Sequence, residues 1–509
     1  MNLLSSWLSQ CRDNHEACSD PPDVTLPTRV ISVGSETMLP RLYIPEKGTR
    51  GQYAALSHCW GGDIPLKTLT ANIEEHQHGI PEDRLPKTFL DAVHIARTLQ
   101  IPFLWIDSLC IIQDDHEDWA RESGRMGSYY SGTTLTIAAD CAANSSEGCF
   151  KERTQGAWDS ARIERSRFGL KNDVYLRVTP EKYRHGVGHC FWPASPSDFD
   201  NQNPLDTRAW TLQETFLSKR IVHFTHGEMV WDCQKVTACE CSVGETKEAF
   251  PTLNKPPFKD LPALYKEWMQ IVHVFSKRSI THETDRLPAI SGVAEVFSQV
   301  TKDEYVCGIW KNYPSTLLWE PESAGSSLRQ DKFYAPSWSW ASIATPIRED
   351  PLYFAMKLPE YCCLAEILNI DSTPATANPF GPVKKHAKLT IQGYVYPGRF
   401  GGDITLPLGN GYRFLIEKHC SNGWIDFDYL PRPEDKAGRK PDIHPGDDFI
   451  ILLIRLRSSR TDFFGKGLVL KAVDELASVY QRVGVYRALY DKPAAPGWDG
   501  REKRIVTLV

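Results

Sequence analysis

Between residues 53 and 139 the chain alternates short, unbroken apolar runs with stretches of helical periodicity. Tyr53-Ala54-Ala55-Leu56-Ser57 reads as a buried strand that runs through His58-Cys59-Trp60 into a glycine turn at Gly61-Gly62. Phe103-Leu104-Trp105-Ile106 has no polar alternation, the pattern of a strand covered on both faces. Residues 133–139 read as a further strand. Between the first two, Phe89, Ala92, Val93, Ala96 and Leu99 recur at helical spacing, with Thr88 and Asp91 as a capping pair. Between the last two lies an acidic amphipathic stretch over 114–122. Strand, helix, strand, helix, strand predicts an α/β unit with a parallel sheet and right-handed connections. Ligands of such sheets bind outside the carboxyl ends of the strands. That rule points to Asp107, where the second strand ends, and to the first turns of the helix after it.

Other segments follow different patterns. Leu3, Leu4, Trp7, Leu8 and Cys11 fall on one helical face, Pro21, Pro22 and Pro27 end that helix, and Arg29-Val30-Ile31-Ser32-Val33 reads as a strand. Arg220-Ile221-Val222-His223-Phe224 and Met229-Val230-Trp231-Asp232-Cys233 read as two strands joined by a glycine-containing turn. The expected organisation is an N-terminal arm over 1–52, an α/β domain over 53–245, a mainly helical segment over 246–345 and a β-rich C-terminal region over 346–509.

Composition narrows the class. The chain has 509 residues, 41% hydrophobic and 24% charged, with a formal net charge of -6. These are the proportions of a soluble globular protein, and the balance argues against nucleic acid as a partner. The longest apolar run, residues 449–454, is far short of the roughly 20 residues a membrane span needs. The first residues lack the basic start and apolar run of a secretory signal. Fourteen cysteines in such a chain are expected as reduced thiols in the cytoplasm. Cys11, His15 and Cys18 form one set of ligand-like residues, and Cys233, Cys239 and Cys241 another. Neither has paired C-x-x-C spacing, so both read as small buried cysteines, with no metal site expected.

Three blocks together resemble the fungal heterokaryon-incompatibility (HET) domain: Tyr53-Ala54-Ala55-Leu56-Ser57-His58-Cys59-Trp60-Gly61; Leu104-Trp105-Ile106-Asp107-Ser108-Leu109-Cys110-Ile111-Ile112-Gln113 with Trp119, Glu122, Met126 and Tyr130; and Arg208-Ala209-Trp210-Thr211-Leu212-Gln213-Glu214. The resemblance implies a role in fungal non-self recognition ending in programmed cell death. It also implies a distant likeness to Toll/interleukin-1 receptor (TIR) domains. Several of those cleave NAD with a glutamate on a helix near a tryptophan. Trp119-Ala120-Arg121-Glu122 is the nearest match and departs from that spacing by one residue.

On this reading NAD is a substrate and no cofactor is required. Its glycosidic bond breaks through an oxocarbenium-like state that a fixed carboxylate stabilises. Glu122 is that carboxylate, or else a solvated helix glutamate paired with Arg121 or Arg125. Asp107 contributes chemistry, or else holds the following turn. Ser57, Trp60, Gly61 and Trp119 shape the pocket: Gly61 lets a ligand approach the backbone and Trp60 offers a stacking face. The alternative for Trp60 and the glycines is a packed core and a turn. Arg208 holds a phosphate, or else pairs internally with Glu214 or Asp206. Self-association, or a protein partner in incompatibility signalling, is expected. The rival reading is a non-enzymatic signalling module that acts only by assembly.

Overall fold

A computed structural model describes residues 1–19, 24–62, 66–150, 160–163, 174–177, 203–240, 247–248, 261–322, 332–348, 361–399, 412–413, 422–428, 447–458, 462–491 and 502–509. The chain divides into two compact units, Met1–Pro257 and Phe258–Val509. The first contains helices α1 (Asn2–Asn14), α2 (Ile73–His78), α3 (Lys87–Thr98), α4 (Asp107–Cys110), α5 (His116–Ser123), α6 (Met126–Ser131) and α7 (Thr211–Leu217). Its strands are β1 (Val30–Ser32), β2 (Arg41–Tyr43), β3 (Tyr53–Ser57), β4 (Phe103–Trp105), β5 (Leu135–Ala138), β6 (Ser160–Ile163), β7 (Val174–Arg177), β8 (Arg220–Phe224), β9 (Met229–Cys233), β10 (Val236–Cys239) and β11 (Lys247–Glu248).

Nine strands form one sheet in the order β11-β10-β9-β8-β5-β3-β4-β1-β2, and β6 and β7 form a separate hairpin. The central pairs β8–β5, β5–β3 and β3–β4 are parallel. Of these strands β3 and β4 carry the unbroken apolar runs, and β3, β5 and β8 are buried along their whole length. The expected α/β architecture is present. The sheet is mixed, however, because antiparallel strands extend the parallel centre on both sides. One of these is β1, from the segment expected as an arm; it pairs with β4.

The chain passes from β3 to β4 on one side, then crosses back to β5 on the other. The strand order thus reverses direction between β3 and β5, where doubly wound sheets open a crevice at their carboxyl ends. Register aligns Ser57 with Ala138 and Ala138 with His223, so three strand ends meet along one row.

Helix α3 buries Phe89, Ala92, Val93 and Ala96, as its periodicity predicts, and Ile95 besides, whereas Leu99, the fifth expected position, is its C-cap and half-buried. Its start differs from the expected cap. Pro86 occupies the N-cap without a side-chain bond, while the Thr88 hydroxyl accepts from Gly148 N–H at 3.0 Å and Asp91 Oδ2 from Cys149 N–H at 2.8 Å. Both side chains tie a distant loop instead of the helix end. The acidic stretch does start with a side-chain cap: Asp115 Oδ1 accepts from Glu117 N–H and Asp118 N–H.

The second unit begins with helices α8 (Leu261–Ser276) and α9 (Pro288–Thr301), followed by short hairpins. Trp268, Phe297, Tyr305 and Trp310 pack against one another in this region. A ten-stranded, largely antiparallel sheet follows, built around the long strands Asp448–Ser458, Asp462–Asp474 and Val479–Asp491. Buried charges are paired in this unit. Glu320 binds Lys466, Arg348 and Arg487, which together outweigh its burial and hold its carboxyl below the usual range. Arg482 binds Asp428 at 3.0 Å and lies over the Trp319 ring. Among the described residues no helix is long and apolar enough to cross a membrane.

Candidate active site

The carboxyl ends of the parallel strands carry a polar cluster drawn from all three of the sequence blocks at 53–61, 104–130 and 208–214. Ser57 closes β3 and is fully buried; its hydroxyl donates to Glu214 Oε2 at 2.5 Å. Glu214 lies in the first turn of α7 and is 5% exposed. The Tyr130 hydroxyl, on α6, stands 3.2 Å from Leu56 O and also reaches the Glu214 carboxylate. Burial pushes the Glu214 carboxyl up to about 7 and the Asp107 charge adds to this, against the bonds from Ser57 and Tyr130 and the Arg208 charge.

Asp107 follows β4 and opens α4. Its Oδ1 accepts from Ser108 N–H at 2.7 Å, and its Oδ2 from Trp60 Nε1–H at 2.8 Å. The indole thus spans from the β3 end to the β4 end. Arg208 reaches the same point from beyond β5. It donates to the His58 carbonyl at 2.5 Å, and its guanidinium lies 5.6 Å from the centroid of the Trp60 ring. The set is graded in depth: Ser57, Tyr130 and Glu214 are buried, whereas Trp60, Asp107 and Arg208 are half-buried.

Gly61 is required by backbone and space together. Its φ is +74°, and a Cβ there would stand 2.1 Å from Asn144 Cβ. The glycine lets the turn after β3 lie against the loop after β5.

His58 is buried with no hydrogen-bond partner at either ring nitrogen, and its Nδ1 is 3.9 Å from Asp107 Oδ1. Burial lowers it to about 4, so the ring is neutral at pH 7. Two strands away, on β8, the buried His223 Nδ1 meets Asp140 Oδ2 at 2.8 Å. Burial there opposes the charge, but Asp140 outweighs it and raises His223 to about 9.

Five of the residues singled out from sequence therefore come together: Ser57, Trp60, Gly61, Asp107 and Arg208. Glu122 and Trp119 lie on α5. Glu122 is 1% exposed, so it is not a solvated glutamate, although it does meet both expected arginines. Its Oε2 accepts from Tyr129 O–H at 2.7 Å; its Oε1 accepts from Thr28 O–H at 3.1 Å and meets Arg121 at 3.3 Å and Arg125 at 3.5 Å. One turn earlier, Asp118 binds Arg29, Arg121 and Ile112 N–H. Asp118 and Glu122 of α5 thus turn inward and fasten the segment just before β1. Trp119 is half-buried, with its ring 6.3 Å from that of His116.

Sequence reasoning valued Glu214 only as a possible partner for Arg208, and it set His58 aside. The signal for Glu214 was its place in the Arg208–Glu214 block, opposite a strand end.

The fold and cluster define a doubly wound α/β domain with a polar site at its strand ends. Residues 53–214 match the family model described as heterokaryon incompatibility protein (HET). The match runs from the first residue of β3 to Glu214. Searches of curated proteins and of solved structures returned no match.

Proposed function

We propose that this domain is an effector of fungal non-self recognition and cell death that acts in the cytosol by hydrolysing NAD, in the manner of TIR enzymes. The observation that carries the reading is the buried Ser57–Glu214 pair beneath Asp107 and Trp60. In hydrolysis the bond from the ribose C1′ to the pyridinium nitrogen breaks. Its electron pair goes to that nitrogen, and neutral nicotinamide leaves. Water adds to C1′ and gives up a proton, leaving ADP-ribose. Asp107 stabilises the positive charge that develops on the ribose. Glu214, raised to about 7, is matched to accept the proton from water near neutral pH. Trp60 offers a ring face to a base, and Arg208 a cation to the pyrophosphate. Gly61 does not leave its backbone open to a ligand, because Asn144 fills that space; it sets the turn beside them against the loop after β5.

In this account Glu122 is a brace that holds α5 and α6 to the segment before β1. Self-association orders the half-buried rim formed by Trp60, Asp107 and Arg208. The test is NAD turnover by the purified chain, free and under forced dimerisation, beside Asp107→Asn and Glu214→Gln. Turnover that both substitutions abolish supports the reading. Folded, self-associating protein with no turnover in either state favours the assembly module.

A further inference from the structure

Outside the strand-end cluster, the fold gathers a second set of reactive side chains that the proposed chemistry does not use. Cys11 lies in the last turn of α1, His15 at its C-cap, and Cys18 at the end of the single 3-10 turn Glu16–Cys18. Cys233 is the last residue of β9 and lies 218 positions from His15 in sequence. The three sulfurs and one imidazole nitrogen all lie within 4.8 Å of one another. The two ligand-like sets that spacing kept apart are thereby joined at one point, through Cys233 alone.

We propose that Cys11, His15, Cys18 and Cys233 form a tetrahedral zinc site that clamps the N-terminal helix to strand β9. Donor chemistry supports zinc. Three thiolates and one imidazole make a closed, structural set, and soft sulfur donors select zinc over magnesium or calcium. Distance supports it too. Zinc bonds of about 2.3 Å to sulfur and 2.0–2.1 Å to nitrogen, at a tetrahedral angle, put the two ligand atoms about 3.6 Å apart. His15 Nδ1 and Cys233 Sγ stand 3.5 Å apart.

The surroundings suit a charged centre. Zinc with three thiolates and a neutral imidazole carries one net negative charge. Arg220 is fully buried beside it, with Nε 3.4 Å from Cys11 Sγ, and also donates to Cys18 O and to Thr134 O. Val236 N–H donates to Cys233 Sγ at 3.4 Å. A cation and a backbone N–H directed at the sulfurs are the supports that thiolate ligands use. A disulfide satisfies the set less well, because any pair leaves one cysteine and the histidine over. Binding releases the thiol protons and changes no oxidation state.

The consequence is mechanical. Leu4, Trp7 and Leu8 on α1 are buried, and Trp7 meets Trp231 of β9 with ring centroids 6.4 Å apart. The metal fixes the C-terminal end of the helix whose apolar face these residues bury.

The experiment is metal analysis of the purified full chain, followed by cobalt replacement. The proposal expects about one zinc per chain, falling below about a tenth in Cys18→Ser and Cys233→Ser but kept in Cys307→Ala, a buried cysteine of the second unit. Cobalt exchanged into the wild-type chain should give intense tetrahedral absorption with thiolate-to-metal charge transfer, a readout that does not depend on whether a variant folds. Wild-type protein without zinc, a disulfide among the three cysteines in mass spectrometry, or cobalt with only weak octahedral bands overturns the proposal.

Discussion

The Ser57 hydroxyl donates to the Glu214 carboxylate across 157 positions of sequence, joining the end of β3 to the first turn of α7 in a buried contact. This bond connects the first and third sequence blocks. It also fixes a titratable group beneath the rim formed by Asp107, Trp60 and Arg208, so its properties can be measured through stability as well as activity.

Glu214 should make the domain less stable as pH rises. Its carboxyl stands at about 7 in the fold against an ordinary 4.5. The native state therefore holds a proton that the unfolded chain has released between those values. The stability this contributes is complete below about 4.5 and lost as pH rises through about 7. A shift of that size corresponds to about 3 kcal/mol. Glu214→Gln cannot ionise, so its denaturation midpoint should gain on the wild type by about that amount from pH 4 to pH 8. Parallel profiles would remove the buried-acid assignment.

His223 has a window of its own. Raised from 6.5 to about 9 by Asp140, it contributes stability that is complete below about 6.5 and is lost as pH rises through about 9. His223→Asn should therefore be more destabilised at pH 6 than at pH 10, by roughly 3 kcal/mol at most. Urea denaturation at the two values checks this. An equal cost at both means that the imidazole is not charged in the fold.

Gly61→Ala should destabilise the domain, because the added carbon meets Asn144 and the backbone has a positive φ. A cost of at least about 1 kcal/mol is expected from the conformation alone. Gly62→Ala is the comparison, since its φ is +82° but nothing lies within 4 Å of the added carbon. Thermal denaturation of the pair separates backbone strain from crowding, and equal costs would contradict the close approach of the two loops.

Glu122→Gln should act on stability and spare turnover. The change leaves Arg121, Arg125 and the Tyr129 and Thr28 hydroxyls facing a neutral amide. Loss of a buried charge-assisted network of this kind costs about 1–3 kcal/mol. At a temperature where the variant is folded, its kcat for NAD should stay close to wild type. A variant that is folded but inactive would return the catalytic role to Glu122.

The parallel centre was legible because Tyr53–Ser57 and Phe103–Trp105 carry apolar runs without polar alternation and Leu135–Ala138 follows the second helical stretch at strand length. Of the flanking strands β1 and β9 were read as strands and β2, β10 and β11 were not, and the places of all of them in the sheet were hidden, since pairing such as Ile31 with Leu104 is set by tertiary packing. Ser57, Trp60, Gly61 and Asp107 were legible as neighbours because each lies at or next to a strand end or tight turn, and Arg208 through the block that ends at Glu214. Glu122 and Glu214 look alike in sequence, both helix glutamates near a tryptophan and an arginine. Only the sheet decides that one meets Ser57 and the other Thr28 and Tyr129. Thr88 and Asp91 looked like a helix cap because spacing cannot foresee the backbone N–H groups of Gly148 and Cys149. The joining of Cys233 to Cys11, His15 and Cys18 was hidden for the same reason.

The most direct test is nicotinamide release from NAD by the dimerised full chain, measured for the wild type, Glu214→Gln and Glu122→Gln side by side. The account predicts release by the wild type and by Glu122→Gln, and none by Glu214→Gln. Release by Glu214→Gln at the wild-type rate, or by none of the three proteins, would contradict it.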